Sequence, residues 1–314
     1  MIKDREITFI IVSWNNEREI RDCLSSINRF TSTPFKIIVV DNLSSDDTRN
    51  IIRKEFPQVE LIESNENLGF AKANNLGLKH VDSMYVCFIN PDVILTEDIT
   101  SSSIKILEKS ISVGLVSCRL INKDGSWQPS CLSFMNSSSI ILNIFHLGRL
   151  LPQRLCRKYA PEYYKITKGC YTPDWVIGAE MIMRTDDAKA IHGFSEEYFM
   201  YTEDMDFCKK IQVYLNKKIL FNASVSLIHL GGASEAQNVN YVKQKKVFQN
   251  ILMFCKKFYG LKEAEKALRN IRICYRIRLI LLSLFYYKDN RQYMIEHDKK
   301  IISFLKDIYK EKLI

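Results

Sequence analysis

The sequence predicts an α/β protein with a doubly wound, mostly parallel sheet and a helical C-terminal extension. Short apolar runs alternate with segments of helical periodicity over roughly the first 120 residues. This alternation is typical of strands that are connected through helices into a parallel sheet. Runs such as residues 36–40 (KIIVV) lack polar alternation, as expected when helices cover both faces of the sheet. After Gly231 and Gly232 the pattern is helical throughout.

The elements of the first part follow one another in a regular order. Residues 7–13 (ITFIIVS) predict a strand, and the helical period after it ends at Phe30. Ser44, with Asp47 three residues later, predicts a capping box at the start of the second helix. The other predicted elements are strands at 36–40, 59–64, 84–90 and 113–118 and helices at 70–79 and near 97–108.

The middle of the chain is less regular. Residues 122–172 are rich in Ser, Pro and Asn, which predicts a variable loop region with a short helix near 138–150. Regular pattern returns at residues 175–184 (WVIGAEMIMR). A helix is predicted from about Asp204, and a strand at 219–228.

Basic charge is concentrated at the C-terminal end. Residues 241–314 contain 18 Lys and Arg against 7 Asp and Glu, a net charge of +11, whereas residues 1–240 carry −2. Such a segment predicts binding to an anionic surface, either membrane or nucleic acid. Nucleic acid is not expected, because no recognition motif occurs and the aromatic residues do not interleave with the basic ones.

Two stripes run along the predicted C-terminal helix. The basic stripe is Lys262, Lys266, Arg269, Arg272 and Arg276, and the apolar stripe is Leu261, Leu268, Ile271, Tyr275, Leu279 and Leu282. They predict either an interfacial membrane helix or a helix that packs on the rest of the protein with a solvated basic face.

Composition narrows the location and the class of protein. The nine cysteines include no CxxC pair, which indicates reduced thiols rather than a disulfide framework or a zinc site. The N-terminus lacks the pattern of a signal peptide, and no apolar run reaches the length of a membrane span. We expect a cytoplasmic protein.

Polar residues follow four of the predicted strands. Because ligands bind beyond the carboxyl ends of parallel strands, these residues predict one pocket. No glycine-rich phosphate loop is present, so a nucleotide would be held by side chains at its base and by a metal at its phosphates. The four strand ends are residues 13–16 (SWNN), 41–42 (DN), 65–67 (NEN) and 90–92 (NPD).

Six blocks in this order resemble the family 2 glycosyltransferases, and more narrowly their rhamnosyltransferase-type branch. The blocks are IIVSWNN, VVDNLSSDDT, NENLGFAKANNLGL, FINPDV, YFMYTEDMDF and HLGGAS. The resemblance implies the GT-A fold, with a Rossmann-like, mostly parallel sheet flanked by helices, and an inverting transfer from a nucleotide sugar. It implies a catalytic domain at 1–235, with a nucleotide-sugar half at about 1–120 and an acceptor half at about 121–235. A basic helical region then covers 236–314.

The resemblance also implies which residues bind the donor. Asp41 would accept the N3–H of uracil or thymine, and Ser13 and Asn15 would line the base and ribose; each of the three could instead be a turn residue. The full implied set is Ser13, Asn15, Asp41, Asn42, Gly69, Phe70, Ala71, Asn74, Asn90 and Asp92.

Asn90-Pro91-Asp92 stands where the family carries an Asp-x-Asp metal motif. Pro91 ends strand pairing and turns Asp92 outward, so that the carboxylate can bind Mn²⁺ or Mg²⁺. The resemblance implies His229 as a second ligand, and this mixture of ligands favours Mn²⁺, although a histidine after a strand is often structural. Asn90 is neutral where many relatives have Asp, so this motif alone would hold a metal weakly.

The acids of YFMYTEDMDF supply the implied catalytic base. By resemblance Asp204 removes the proton of the acceptor hydroxyl, and Glu203 is the alternative base or orients the acceptor. Clustered like charges raise the pKa of a carboxyl group, which suits a base. Asp206 is expected to begin and cap the following helix. An acidic first turn that is favoured by the helix dipole is the structural alternative.

Trp175, Gly178 and Ala179 are expected to shape the acceptor and sugar pocket. Trp175 could stack on a sugar ring or be a buried core residue.

The resemblance implies metal-dependent transfer of a sugar, L-rhamnose from dTDP-rhamnose, to a hydroxyl of a lipid-linked polysaccharide or oligosaccharide. The protein would lie peripherally on the cytoplasmic face of the inner membrane, on anionic lipid. A UDP-sugar donor (galactofuranose, galactose or an N-acetylhexosamine) is the main alternative. A sugar-1-phosphate nucleotidyltransferase would need a Gly- and Arg-rich loop that residues 13–19 do not provide. A basic nucleic-acid-binding protein is the remote alternative.

Overall fold

The computed structural model describes residues 5–231, 240–285 and 291–310. The chain divides into two compact units. The first comprises residues 1–132 and 165–236, and the second comprises residues 133–164 and 237–314. Residues 133–164, which we placed in the acceptor half, therefore belong to the same unit as the C-terminal helices.

Strands and helices alternate through most of the first unit. The strands are β1 (Ile7–Ser13), β2 (Phe35–Asp41), β3 (Glu60–Glu63), β4 (Tyr85–Ile89), β5 (Val93–Leu95), β6 (Val113–Ile121), β7 (Trp127–Gln128), β8 (Cys131–Leu132), β9 (Cys170–Tyr171), β10 (Trp175–Val176), β11 (Glu180–Arg184) and β12 (Lys218–His229). The α-helices are α1 (Ile20–Phe30), α2 (Thr48–Glu55), α3 (Gly69–Lys79), α4 (Ile99–Lys109), α5 (Ser139–Ile144), α6 (Gln153–Tyr159), α7 (Thr185–Ala190), α8 (Glu203–Tyr214), α9 (Asn240–Tyr259), α10 (Leu261–Phe285) and α11 (Arg291–Lys310).

The main sheet has the order β3-β2-β1-β4-β11-β6-β12-β5. The pairs β2–β3, β1–β2, β1–β4 and β6–β12 are parallel. β11 runs antiparallel to β4 and β6, and β5 runs antiparallel to β12. The sheet is thus mixed but mostly parallel, and the predicted α/β class with C-terminal helices is confirmed. Within the predicted helical extension, residues 236–239, 286–290 and 311–314 lie outside the described residues.

Helix α1 illustrates how the sequence forms this core. Ile20, Cys23, Leu24 and Ile27 are fully buried and share one face, because residues three and four apart are neighbours on a helix. They belong to the same apolar cluster as β1, whose side chains are buried on both faces. Burying each such side chain contributes roughly 1.5–3 kcal/mol.

The predicted capping box at α2 is wrong. The Ser44 hydroxyl accepts a hydrogen bond from the backbone nitrogen of Asn15 at 2.9 Å, so it serves a loop distant in sequence. Asp47 makes no side-chain cap, and the carboxylate of Asp46 accepts from the backbone nitrogen of Thr48 at 3.1 Å instead.

The second unit is helical and has its own core. It contains α5, which confirms the short helix predicted near 138–150, together with α6 and α9 to α11. Most of the predicted apolar stripe of α10 is buried inside this unit: Leu268, Ile271, Tyr275 and Leu282 are at most 7% exposed. Among residues 5–231, 240–285 and 291–310, no helix combines the length and the apolar composition that crossing a bilayer requires.

Candidate active site

Asp41 presents a buried carboxylate oxygen at the carboxyl end of β2. Its neighbour in the adjacent strand is Ser13, and both side chains are fully buried. Asp41 Oδ1 accepts a hydrogen bond from the backbone nitrogen of Ser44 at 3.0 Å and lies 3.7 Å from Arg49 Nε. Oδ2 is buried and has no hydrogen-bond partner among the described residues. Because such an acceptor is costly to leave unpaired, it suits a ligand N–H.

Ser13 bonds within the turn that follows β1, and Asn15 bonds to the loop that follows β2. Ser13 Oγ donates to Asn16 Oδ1 at 3.2 Å, and Asn15 Oδ1 accepts from the backbone nitrogen of Ser45 at 2.8 Å. Asn15 has a positive φ of 54°, a conformation that asparagine tolerates better than most residues. Both residues thus shape this end of the sheet, and their contact with a ligand stays a prediction.

Asn42 joins the end of β2 to the start of α3. Its Oδ1 accepts from the backbone nitrogen of Leu68 at 2.7 Å, and its Nδ2 donates to Asn67 Oδ1 at 3.0 Å. Gly69 follows with a φ of +76°, and a Cβ there would lie 2.5 Å from the carbonyl oxygen of Phe199. Only glycine fits this position without strain.

The first turn of α3 is connected to the loop before α8. The backbone nitrogen of Phe70 donates to the carbonyl oxygen of Phe199 at 3.1 Å, and the Phe70 ring packs edge-on against Phe194. Ala71 is buried, and Asn74 Nδ2 donates to the carbonyl oxygen of Phe70 at 3.0 Å. These contacts hold the start of α3 against the segment that precedes α8.

Asp92 and His229 meet where β5 pairs with β12. Asp92 is 7% exposed, and its Oδ1 lies 3.4 Å from His229 Nε2. The other imidazole nitrogen, Nδ1, is 2.9 Å from Gln128 Oε1. Because that amide oxygen can only accept, the neutral imidazole would carry its proton on Nδ1 and would direct the lone pair of Nε2 towards the carboxylate. Two electron-pair donors that face each other in this way fit a cation.

Asn90 adds a further oxygen on the same turn. Its backbone nitrogen donates to the carbonyl oxygen of Ala179 at 3.0 Å, while its side-chain Oδ1 is buried and has no hydrogen-bond partner among the described residues. Within the part of the chain that the structure describes, no group of three or more His, Cys, Asp or Glu side chains could hold a metal. Protein ligation would therefore use Asp92 and His229, with Asn90 as the candidate third ligand.

The acidic pair begins α8 after a strained turn. Tyr201 and Thr202 have φ values of 70° and 78°, a region that non-glycine residues rarely occupy and that recurs at functional sites. Asp204 Oδ1 accepts from the backbone nitrogen of Met205 at 2.8 Å, and its Oδ2 accepts from that of Gly178 at 3.2 Å. Both carboxylate oxygens are thus oriented by backbone N–H groups.

Burial changes the acidity of this pair. It raises the pKa of Asp204 from 3.8 to about 6. Burial also raises the pKa of Glu203 well above its ordinary value, and the charge of Asp204 raises it further. Glu203 Oε2 has no hydrogen-bond partner among the described residues. At neutral pH Asp204 is therefore the better base, because it ionises more readily.

Asp206 does not begin or cap α8, contrary to the sequence prediction. The helix begins at Glu203, and Asp206 lies inside it, fully buried. Its Oδ1 accepts a hydrogen bond from Ser195 Oγ at 2.5 Å. This contact fixes the loop before α8.

Gly178 and Ala179 connect the acidic pair at the start of α8 with the turn that contains Asn90 and Asp92. Gly178 N donates to Asp204, and the next carbonyl, that of Ala179, accepts from Asn90 N. A Cβ on Gly178 would lie 3.3 Å from Asp204 Cβ, so a side chain would crowd the acid. Trp175, in β10, is half-buried and pairs with Leu132 of β8. Its stacking on a sugar stays a prediction.

Glu180 is a buried acid that the sequence analysis missed. It lies in β11 opposite Ile89, the residue before Asn90, and is fully buried. Its Oε2 accepts from the backbone nitrogen of Cys118 at 3.0 Å, and burial raises its pKa to about 7. One charged residue within the apolar run AEMIM was the available signal.

Comparison with known proteins gives a consistent pattern. Residues 8–152 match the family model described as Glycosyl transferase family 2. The chain is 27% identical to Rhamnosyltransferase WbbL of Escherichia coli K12 over 214 residues, which are 66% of this chain and 77% of WbbL. It is 24% identical to the N-acetylglucosaminyl-diphospho-decaprenol L-rhamnosyltransferase of Mycobacterium tuberculosis over 211 residues, which are 63% of this chain and 67% of that enzyme.

The fold also resembles that of a solved structure. The mannosyltransferase PcManGT from Pyrobaculum calidifontis, in complex with GDP-Man and Mn²⁺, superposes with a TM-score of 0.58 at 16% identity, and the match covers 97% of this chain and 87% of that one. At this identity the likeness concerns the fold alone. Of the six sequence blocks, only the last, HLGGAS, extends past Gly231 beyond the described residues.

Proposed function

Since this chain is a family 2 glycosyltransferase with a GT-A fold, we propose that it transfers L-rhamnose from dTDP-L-rhamnose to a hydroxyl of a lipid-linked glycan. Two rhamnosyltransferases among its relatives support rhamnose as the transferred sugar, and the decaprenol-linked substrate in the name of one supports this acceptor class. The observation that carries the proposal is the carboxylate of Asp204, oriented by Gly178 N and with a raised pKa.

The donor base would be recognised at Asp41. Its unpaired Oδ2 accepts the N3–H of thymine, and Ser44 N holds Oδ1 so that the carboxylate does not rotate away. Uracil presents the same N3–H, so this contact fits UDP sugars such as UDP-galactofuranose, UDP-galactose or a UDP-N-acetylhexosamine equally well. Adenine has an unprotonated ring nitrogen at the corresponding position and lacks this donor.

The diphosphate would lie against the turn at Asn90 to Asp92. We propose that Asp92 and His229, with Asn90 Oδ1, hold a divalent cation, Mn²⁺ or Mg²⁺. Mn²⁺ is favoured because it accepts both carboxylate and imidazole ligands. When bound, the cation supplies positive charge that stabilises the departing diphosphate. The Mn²⁺ complex of PcManGT supports a cation in this fold.

Asp204 would act on the acceptor. Its ionised carboxylate takes the proton of the acceptor hydroxyl while that oxygen forms a bond to the anomeric carbon. The bond from this carbon to the donor phosphate breaks on the opposite side, dTDP leaves, and the configuration is inverted. Gly178 N and Met205 N fix the carboxylate for this transfer. Glu203, which ionises less readily, would orient the acceptor.

The enzyme would meet its lipid-linked acceptor at the cytoplasmic face of the inner membrane. It would take part in the biosynthesis of a polysaccharide such as O-antigen. The net charge of +11 over residues 241–314 supports peripheral attachment to anionic lipid, because each basic residue near such a surface contributes roughly 1 kcal/mol.

A donor panel tests the proposal. The protein would be incubated with Mn²⁺ and a polyprenyl-diphosphate-linked sugar acceptor, together with dTDP-rhamnose or one of the three UDP sugars. We expect a product with dTDP-rhamnose, with the anomeric configuration inverted in its NMR spectrum. If product formed only with a UDP sugar, that sugar would be the donor in place of dTDP-rhamnose. Retention of configuration would overturn the role of Asp204.

A further inference from the structure

Helix α10 exposes a row of large aliphatic side chains that its unit does not bury. Its five members are between 44% and 59% exposed: Ile273, Ile277, Ile280, Leu281 and Leu284. Their spacing of four, three, one and three residues places them on one side of the helix, because each residue advances by about 100°. We call this set the aliphatic ridge. Such a contiguous row is unusual on a surface that faces only water.

The same side of α10 is basic in its first half. Counting back from Ile273 by four, seven and eleven residues reaches Arg269, Lys266 and Lys262, and all three are exposed. These intervals keep the basic residues in line with the aliphatic ridge. One face of the helix thus changes from cationic to mainly aliphatic along its axis, with the exposed Arg276 at the edge of the aliphatic ridge.

The ridge is separate from the packing face of α10. Leu268, Ile271 and Tyr275 are at most 3% exposed and belong to the core formed with α9 and α11. The predicted apolar stripe therefore stabilises the helical unit. The ridge is a second apolar surface, which a single hydrophobic pattern could not distinguish from the first.

We propose that this face of α10 docks on an anionic lipid bilayer, with the aliphatic ridge among the acyl chains and the basic half at the phosphate headgroups. Lys and Arg side chains suit the headgroup level, and aliphatic side chains suit the hydrocarbon below it. The helix would enter obliquely, C-terminal half deepest. The inference deepens the proposed membrane-facing function by naming its contact surface, and it can be tested without any sugar transfer.

The charge distribution favours lipid over a second copy of the chain. A two-fold dimer centred on the ridges alone would leave the basic half of each helix uncovered. In a two-fold dimer that uses the whole face, antiparallel α10 helices would set each aliphatic ridge against the basic half of its mate. Parallel helices would set basic half against basic half. Either arrangement buries or opposes cations without partners, which is costly. A bilayer instead offers phosphate and hydrocarbon at different depths, matching both halves together.

Vesicle sedimentation of the full chain tests the surface. Vesicles would contain phosphatidylcholine alone or phosphatidylcholine with phosphatidylglycerol. We expect binding to the anionic vesicles only. The double variant Ile277→Glu, Leu281→Glu should lose it, while Ile111→Glu, at an isoleucine that is 72% exposed in the first unit, should bind like wild type. Reversing Lys266 and Arg269 to Glu should weaken binding at least about tenfold, because two attractions to the anionic headgroups become repulsions.

A depth probe distinguishes insertion from surface attraction. Ile280→Trp should gain fluorescence that lipids brominated on their acyl chains quench, measured against the wild-type signal of Trp14, Trp127 and Trp175. Circular dichroism and donor binding of each variant show that the fold and the donor site are intact, so failure here is separable from failure of the proposed function. Unchanged binding of the Ile277, Leu281 variant would overturn the proposal. So would a lipid-free dimer that this variant makes monomeric.

Discussion

The Asp204 carboxylate lies 3.2 Å from the backbone nitrogen of Gly178, and the residue after this glycine accepts a hydrogen bond from Asn90 N through its carbonyl oxygen. Two consecutive residues between β10 and β11 thus connect the proposed base with the proposed metal turn. Asp204 and Asn90 lie more than a hundred residues apart in sequence, so only the fold brings them into this arrangement.

Asp204→Asn should abolish most of the transfer. The amide oxygen can still accept a hydrogen bond from one of the two backbone N–H groups, Gly178 N or Met205 N, but the bond to the other is lost and the side chain can no longer take a proton. We expect kcat to fall by about 10²–10⁴, the usual contribution of a general base, with an unchanged Kd for dTDP-rhamnose. Glu203→Gln, the matched control, should lose less. The reverse order would make Glu203 the base.

The pH dependence of the rate should reflect the same carboxylate. Burial raises the pKa of Asp204 to about 6, and the ionised form is the active one. We therefore expect kcat to fall as the pH drops through about 6, and to be constant above it until another group titrates. Initial rates measured from about pH 4.5 to about pH 8 with saturating donor check this. Well below the pKa, the rate should fall about tenfold for each pH unit. An acid limb near pH 4 would assign the proton transfer to a group that burial does not perturb.

Asp92→Asn should remove cation-dependent donor binding. The amide is neutral, so the turn loses its one carboxylate, and His229 Nε2 alone holds a divalent cation weakly. Calorimetry with dTDP should show an affinity gain on adding Mn²⁺ for wild type and for Asp124→Asn, an exposed control, but none for Asp92→Asn. Wild-type activity that EDTA leaves unchanged would rule out the metal role of both side chains.

Much of the fold followed from the sequence because periodicity reports burial directly. The strands at 7–13 and 36–40 were predicted almost to the residue. Local signals failed where distant partners decide the outcome: Ser44 resembled a helix cap, but its hydroxyl accepts from Asn15 N. Asp206 likewise resembled a helix start, but it is buried inside the helix, where its carboxylate accepts a hydrogen bond from Ser195.

Prediction from the sequence failed for other reasons on α10 and at Glu180. Apolar residues occupy so much of the surface of α10 that periodicity could select only one face. Burial in the structure separates Ile271, in the core, from Ile277, in the ridge. Glu180 was overlooked because its neighbours are core residues and its partner, Cys118 N, lies on another strand.

Asp41→Asn should select against pyrimidine diphosphates. The amide can keep Ser44 N bonded through its oxygen, but it then directs N–H groups, rather than an acceptor, at the N3–H of the base. We expect dTDP and UDP binding to weaken by about 1–3 kcal/mol, the scale of a lost hydrogen bond to a charged group. Calorimetric titration of both nucleotides measures this. Unchanged affinity of Asp41→Asn for both nucleotides would contradict base recognition by Asp41.

Glu180→Gln should stabilise the protein above neutral pH. Burial raises the pKa of Glu180 from 4.5 to about 7, so the folded state holds this proton more firmly than the unfolded chain does. Its contribution to the free energy of unfolding is therefore greatest below about pH 4.5 and is lost as the pH rises through about 7. The difference is on the order of 3 kcal/mol, because a tenfold change in proton affinity corresponds to about 1.4 kcal/mol. Glutamine can still accept from Cys118 N and carries no charge at any pH.

Thermal unfolding at a series of pH values measures this effect. We expect Glu180→Gln to match wild type at about pH 5 and to have a higher Tm at about pH 8. Asp204 and Glu203 titrate in both proteins, so the difference between the two curves isolates Glu180. Glu265→Gln, an exposed position on α10, should follow wild type throughout. If the Tm of Glu180→Gln fell below that of wild type at the higher pH, the ionised carboxylate would have to be stabilising. The folded protein would then favour the ionised form of Glu180 over the neutral acid.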